Sequence, residues 1–184
     1  MSTLQPWFEK GLTDFTYLHN MTVHQENLLK VYNSVSVSDE EKTTLRTLQH
    51  KKIKAIVLTA DWCGDAMVNV PIFLRLAQEA LIETRFLIRD ENLELMDQYL
   101  TNGTARSIPI FIFIDEDGNE IGKWGPRSPK AQEVADSLKA NLPEKDSPEF
   151  EAAFKEFATK ISATFTTDKA LWEDIKKDML KALL

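Results

Sequence analysis

At 184 residues the chain is long enough for one domain with a substantial core and short for two. Its 43% apolar and 28% charged content excludes a collagen-like, rod-like or wholly disordered chain. With 29 acidic against 22 basic side chains the net charge is -7, which disfavours a general binder of nucleic acid or anionic membrane, since such proteins neutralise phosphates with Lys and Arg. The single cysteine, Cys63, excludes an intrachain disulfide and a multi-cysteine metal centre. Met1 to Lys10 hold Pro6, Glu9 and no apolar stretch, so no secretory signal is expected and the expected location is cytoplasmic. The longest strongly apolar run, Ile108 to Ile114, falls far short of the roughly 20 residues of a spanning helix, so no membrane span is expected.

In chain order, Leu4, Trp7, Phe8, Leu12, Phe15 and Leu18 recur at steps of three and four, which predicts one helix over residues 4–18. Val23, Leu28, Val31 and Tyr32 predict a second. Ser38, followed by Asp39, Glu40 and Glu41, reads as an N-cap with acids in the first turn and opens a third helix to about His50. From Ile53 the texture changes, because Ile53, Ala55, Ile56, Val57 and Leu58 make a short β-rich run of the kind buried on both faces of a sheet. A helical pattern follows through Met67, Val70, Leu74, Ala77 and Leu81, and Pro71 within it predicts a kink. Arg85 to Arg89 predict a second strand, and residues 92–101 a short helix with Asn102-Gly103 as its C-cap. Ile110 to Ile114, the turn Asp117-Gly118-Asn119, and Glu120 to Trp124 predict a β-hairpin, after which Ser128 opens a helix to about Ala140. Beyond a polar break at Pro143 to Pro148, Phe150, Phe154, Phe157, Ile161 and Phe165 repeat at helical spacing, as do Leu171, Ile175 and Met179. The Phe stripe is expected to pack on the parent domain. The order predicts an α/β chain with a central mixed sheet flanked by helices, decorated by all-helical ends at 1–50 and 141–184.

Cys63 stands just beyond the predicted buried strand and at the start of a helix, where unpaired N–H groups and the positive end of the dipole favour thiolate. Asp61 and Asp65 lie within two residues of it and oppose a second negative charge. The balance predicts a modestly lowered thiol pKa, about 6 to 8.5. Spacing alone equally allows an inert, buried cysteine at this corner.

Several landmarks resemble the thioredoxin superfamily. Trp62-Cys63-Gly64-Asp65-Ala66 occupies the setting of that family's Trp-Cys-Gly-Pro-Cys motif, and Pro71 matches its helix proline. Ser107-Ile108-Pro109, 46 positions after Cys63, matches its cis-proline loop, and Phe113 to Glu120 with Gly125 resembles its hairpin and following glycine. The resemblance covers residues 51–140 and implies a thioredoxin-like fold over that core. It implies Cys63 as nucleophile, Trp62 flanking the sulfur, and Gly64, Asp65, Ala66, Ile108 and Pro109 around the substrate. In such folds the backbone of the residue before the cis-proline, here Ile108, receives an extended substrate strand. Two departures limit the chemistry. Ala66 replaces the resolving cysteine, which closes the ordinary dithiol cycle, and Val57 replaces the family's buried acid. Asp65 replaces the proline of the motif.

The resemblance therefore implies monothiol exchange at Cys63 with a protein or a low-molecular-weight thiol or disulfide, completed by an external thiol. The alternative is a redox-inactive module that holds a partner protein or peptide beside Pro109; a one-cysteine iron–sulfur carrier fits less well. No cofactor, metal, nucleic acid or membrane is expected. His19, His24 and His50 are too separated for a convincing zinc set, and Asp115, Glu116 and Asp117 read as a solvated turn. No glycine-rich phosphate loop occurs. Arg106, just ahead of the proline loop, reads as a solvated residue or as a contact for a substrate carboxylate.

Overall fold

The computed structural model describes residues 3–184. The elements are α1 (Gln5–Lys10), β1 (Leu12–Thr13), α2 (Asp14–Asn20), α3 (Gln25–Ser34), α4 (Asp39–Arg46), β2 (Lys54–Thr59), α5 (Gly64–Ala80), β3 (Glu83–Ile88), α6 (Leu93–Met96), β4 (Ile110–Ile114), β5 (Glu120–Trp124), α7 (Pro129–Lys139), α8 (Phe150–Thr167) and α9 (Lys169–Leu183). The five strands form one mixed sheet in the order β1-β3-β2-β4-β5. Only β2 and β3 run parallel, joined by the crossover helix α5, and the other pairings are antiparallel.

Register explains how the two faces are covered. Val57 pairs with Phe86 on one side and Phe111 on the other, so the three share a face. On that face Phe73 of α5 packs against Phe111 and Phe113 at ring separations of 4.8 and 5.8 Å, and Tyr17 of α2 stacks on Phe86 at 4.5 Å. Lys54 and Arg85 turn to the opposite face, where both cations lie over Phe8 of α1. The central strands are therefore shielded on both sides, which is why residues 55–58 of β2 and all of β4 read as uninterrupted apolar runs.

The predicted helix over residues 4–18 is broken. Gly11 ends α1, and a β-carbon there would lie 2.6 Å from Cβ of Arg85, so glycine is what lets the chain pass close to β3. Leu12 and Thr13 then pair with Phe86 and Arg85, and the Thr13 hydroxyl caps α2 by accepting from Thr16 N at 3.1 Å. The N-terminal segment thus supplies an edge strand and is not all-helical. β3 begins two residues earlier than expected, since Leu81 adopts the left-handed conformation that ends α5 and releases the chain at once into pairing with β2. The predicted helix over 92–101 shrinks to α6; Asn102-Gly103 turns the chain between Thr101 and Ala105, which bridge, rather than capping a helix. The third helix ends at Arg46, and a separate 3-10 turn carries residues 49–51. Helix α5 continues through Pro71 without a break.

The ends are stitched to each other. Ser38 and Glu41 form a reciprocal capping box on α4, and Lys176 of α9, 2% exposed, reaches across to Glu41 and Glu173 at 2.9 Å each and donates to the Ser36 carbonyl at 2.8 Å. Burial alone would raise the Glu41 carboxyl; the Ser38 N–H and Lys176 hold it below its ordinary value. Of the Phe stripe on α8, only the C-terminal end packs as expected. Phe165 is buried, whereas Phe154 is 46% exposed and stacks only with Phe150 and Phe157 of its own helix. Among the described residues no helix is long and apolar enough to cross a membrane.

Candidate functional site

The C-terminal end of β2 hands the chain through Ala60, Asp61 and Trp62 to Cys63, which is the N-cap of α5. Its Sγ accepts from Ala66 N at 3.4 Å and donates to the Ile108 carbonyl at 3.3 Å. The Ile108–Pro109 peptide is cis, and Gly125, at φ 120, lies against it. A β-carbon on Gly125 would stand 3.2 Å from the Pro109 carbonyl carbon and closer still to its oxygen, so this glycine lets the two loops meet. Strand β4 starts directly after Pro109 and pairs with β2, which brings a loop distant in sequence to the sulfur.

The environment of the thiol corrects the expected lowered pKa. Cys63 is only 7% exposed, and burial, followed by the Asp65 carboxylate, pushes its thiol up to about 11. The N–H groups of Ala66 and Asp65 and the Arg127 guanidinium pull the other way and lose. The helix terminus does supply a hydrogen bond to sulfur, as position in the sequence suggested. It is outweighed by desolvation, which depends on packing that local sequence does not reveal.

Asp65 and Asp61 play different parts. Asp65 is 15% exposed and forms a two-pronged pair with Arg127, with Nε and Nη2 donating at 2.6 and 2.8 Å; Arg127 Nη1 also donates to Gln132 Oε1 at 3.3 Å. Burial raises the Asp65 carboxyl above its ordinary value and the Arg127 pair offsets part of that rise. Arg127 follows a second cis peptide, Gly125–Pro126, and Asn69 of α5 donates to the Pro126 carbonyl at 3.0 Å. Asp61 instead accepts from Thr22 N at 2.9 Å, Thr22 Oγ1 at 3.0 Å and Val23 N at 3.3 Å. The Thr22 N–H and these companions hold its carboxyl below the usual range. Its contribution is full above the ordinary carboxylate pKa and fades as pH falls through the lowered value. Asp61→Ala is expected to cost about 1 kcal/mol, the size of a lost capping interaction, with the loss absent at strongly acidic pH; a urea titration at neutral and acid pH measures both.

Of the expected site residues, Trp62, Cys63, Asp65 and Ile108 line one cavity of about 480 Å³ together with Arg106 and Arg127 among others, whereas Gly64, Ala66 and Pro109 are not part of its lining. Trp62 is 49% exposed rather than shielding the sulfur alone, and the Arg89 guanidinium lies 4.8 Å from its ring centre. Ala66 is 2% exposed and offers no second thiol, Gly64 opens α5 with free space where a side chain would stand, and Val57 is fully buried in the sheet. Arg106 holds Asp97 by Nε and Nη2 at 2.7 and 2.9 Å. A second cavity of about 500 Å³, beside Leu18, Leu74 and Thr84, opens at the opposite end of the parallel strands from Cys63. His19 stacks on Phe15, and no group of three or more potential metal ligands gathers among the described residues.

Sequence reasoning missed Arg127, Arg89 and Asn69. An acid at position 65 signalled the need for a counter-ion, yet nothing local pointed to an arginine 62 positions later.

Residues 11–139 match the sequence profile of the thioredoxin family, and the chain belongs to that family. Thioredoxin H9 of Arabidopsis thaliana is 27% identical over 136 residues, which cover 73% of this chain and 92% of the plant protein. Among solved structures, a Pseudomonas aeruginosa protein of unknown function aligns with a TM-score of 0.68 at 15% identity, over 100% of this chain and 98% of its own. An HIV epitope scaffold aligns with a TM-score of 0.67 at 14% identity, over 99% and 98%. These two structures share the fold.

Proposed function

We propose that this thioredoxin-family chain carries out thiol–disulfide exchange through Cys63 alone. Its thiolate attacks one sulfur of an external disulfide; a Cys63–S–S–R bond forms, the original S–S bond breaks and RS⁻ leaves, while the Cys63 proton passes to water. A second, external thiolate then attacks the mixed disulfide, frees Cys63 and leaves with R as a new disulfide, supplying the electrons. Ala66 has no sulfur with which to do this internally. The observation that carries the reading is the position of Sγ, 3.3 Å from the Ile108 carbonyl on the wall of the cavity beside Pro109. The family membership and the plant thioredoxin relative support it.

The test uses a neutral aromatic disulfide, 2,2′-dithiodipyridine, at pH 8.5. One equivalent of thiopyridone and one mass adduct at Cys63 are expected; an added small thiol then removes the adduct and releases a second equivalent of thiopyridone. A second reading, a redox-silent module that holds a partner in the same groove, is favoured by the burial and raised pKa of Cys63. Absence of any adduct on the folded chain, with rapid reaction in urea, would decide for that module and against exchange.

A further inference from the structure

We propose that the cavity at Cys63 is built to receive small thiols and disulfides that carry carboxylates; this rests on the exchange reading and names its substrate class. In a chain of net charge -7, the cavity lining contains three guanidinium groups, Arg89, Arg106 and Arg127, against one carboxylate, Asp65. Asp65 is already consumed by the two hydrogen bonds from Arg127. The acids that hold the other two arginines, Asp90 and Asp97, lie outside the lining. The Asp90 side chain is 59% exposed against 21% for Arg89, so water screens that acid more than the guanidinium it holds, while Arg106 and Asp97 are equally exposed at 47%.

The two arginines are also held in place before any ligand arrives. Arg89 lies over the Trp62 ring, donates from Nε to Asp90 at 3.0 Å and from Nη1 to the Arg106 carbonyl at 3.1 Å. Arg106 is fixed by its two bonds to Asp97. That leaves Arg89 Nη2 and Arg106 Nη1 without partners among the described residues. A guanidinium already immobilised loses little entropy when it binds a carboxylate, and its bond to an anion is of the stronger, charge-assisted kind. A volume of about 480 Å³ suits a small molecule, and Cys63 on the same wall puts sulfur within the space that such an anion would occupy. The exchange chemistry is that given above, with R bearing the carboxylate; the cationic wall offsets the negative charge that the attacking thiolate and the ligand bring together.

The experiment compares three aliphatic disulfides of similar length, 3,3′-dithiodipropionate, 2-hydroxyethyl disulfide and cystamine, each rate being divided by that of the urea-unfolded chain. At low ionic strength the dicarboxylate is expected to exceed cystamine by about tenfold, a ratio that shrinks in 0.5 M salt. Arg89→Gln and Arg106→Gln are each expected to reduce that ratio, and together to bring it to the unfolded-chain value. If the neutral disulfide reacts but the charge series matches the unfolded chain, the subsite is overturned and monothiol exchange stands. If no disulfide reacts, exchange itself fails and the subsite is judged on the Cys63→Ser protein with adipate, a dicarboxylate without sulfur. A saturable shift of the Trp62 indole N–H signal, lost in the double arginine variant, supports the subsite; no shift at about 10 mM adipate overturns it.

Discussion

Cys63 is expected to alkylate with iodoacetamide at least about 20-fold more slowly than free cysteine at pH 7.5. A thiol held at about 11 presents roughly 300-fold less thiolate at that pH than one at 8.5. The more basic sulfur is a better nucleophile once formed, which returns about a factor of 10 to 18, and the 7% exposure takes rate away again. The rate is expected to climb by nearly tenfold per pH unit from 7 to 10. The same group links to stability. Because its folded pKa lies above its unfolded value, the folded chain keeps a proton that the unfolded chain loses, so stability is full below about pH 8.5 and declines as pH rises towards 11. Tyr17, pushed up to about 12 first by burial, extends that decline to higher pH. A single-site alkylation profile with accompanying urea midpoints measures all three. An alkylation rate at or above that of free cysteine at pH 7.5 would show an accessible thiolate and refute the environment described.

Arg127→Ala is expected to destabilise the fold by about 3 kcal/mol, the low end for removing one member of a buried ion pair. The low end applies because the Asp65 and Arg127 side chains retain 15% and 25% of their exposure through the cavity. Most of the cost is the carboxylate left without its partner in a site where burial already raises its pKa. Asp65→Asn combined with Arg127→Ala is therefore expected to recover part of the loss, and a double-mutant cycle from urea denaturation gives the coupling. With Arg127 gone and Asp65 retained, the Cys63 thiol loses a stabilising cation and its alkylation slows further. A loss under 1 kcal/mol would mean that water screens the pair as it does on an open surface.

The sequence made the order of elements legible wherever a periodic apolar pattern ran long enough, as in α5, β4 and the α8–α9 pair. The corner at Cys63 and the loop at Pro109 were legible as spaced landmarks. What stayed hidden was of two kinds. β1 is two residues long and owes its existence to an open edge on β3, a partner more than 70 positions away, so no local pattern could announce it. The charge state of Cys63 depends on what the fold seals around it: first the packing that excludes water, then the Asp65 carboxylate. From the chain alone the helix terminus was visible and those desolvating neighbours were not, which is why the direction of the shift was misread. Arg127 escaped for the same reason, since a salt bridge across 62 positions has no periodic signature.

Lys176 bears on how the protein comes apart. Its ammonium ties α9 to the Ser36 carbonyl, 140 positions back along the chain, and to Glu41 beside it, so detaching α9 would leave that carbonyl and the Glu41 carboxylate without this partner. A fragment trimmed to the central sheet and its crossover helix would lose Trp172, Ile175 and Met179 from its hydrophobic interior while exposing the apolar side of α5 that they cover, and would tend to aggregate rather than serve as a minimal version of the molecule.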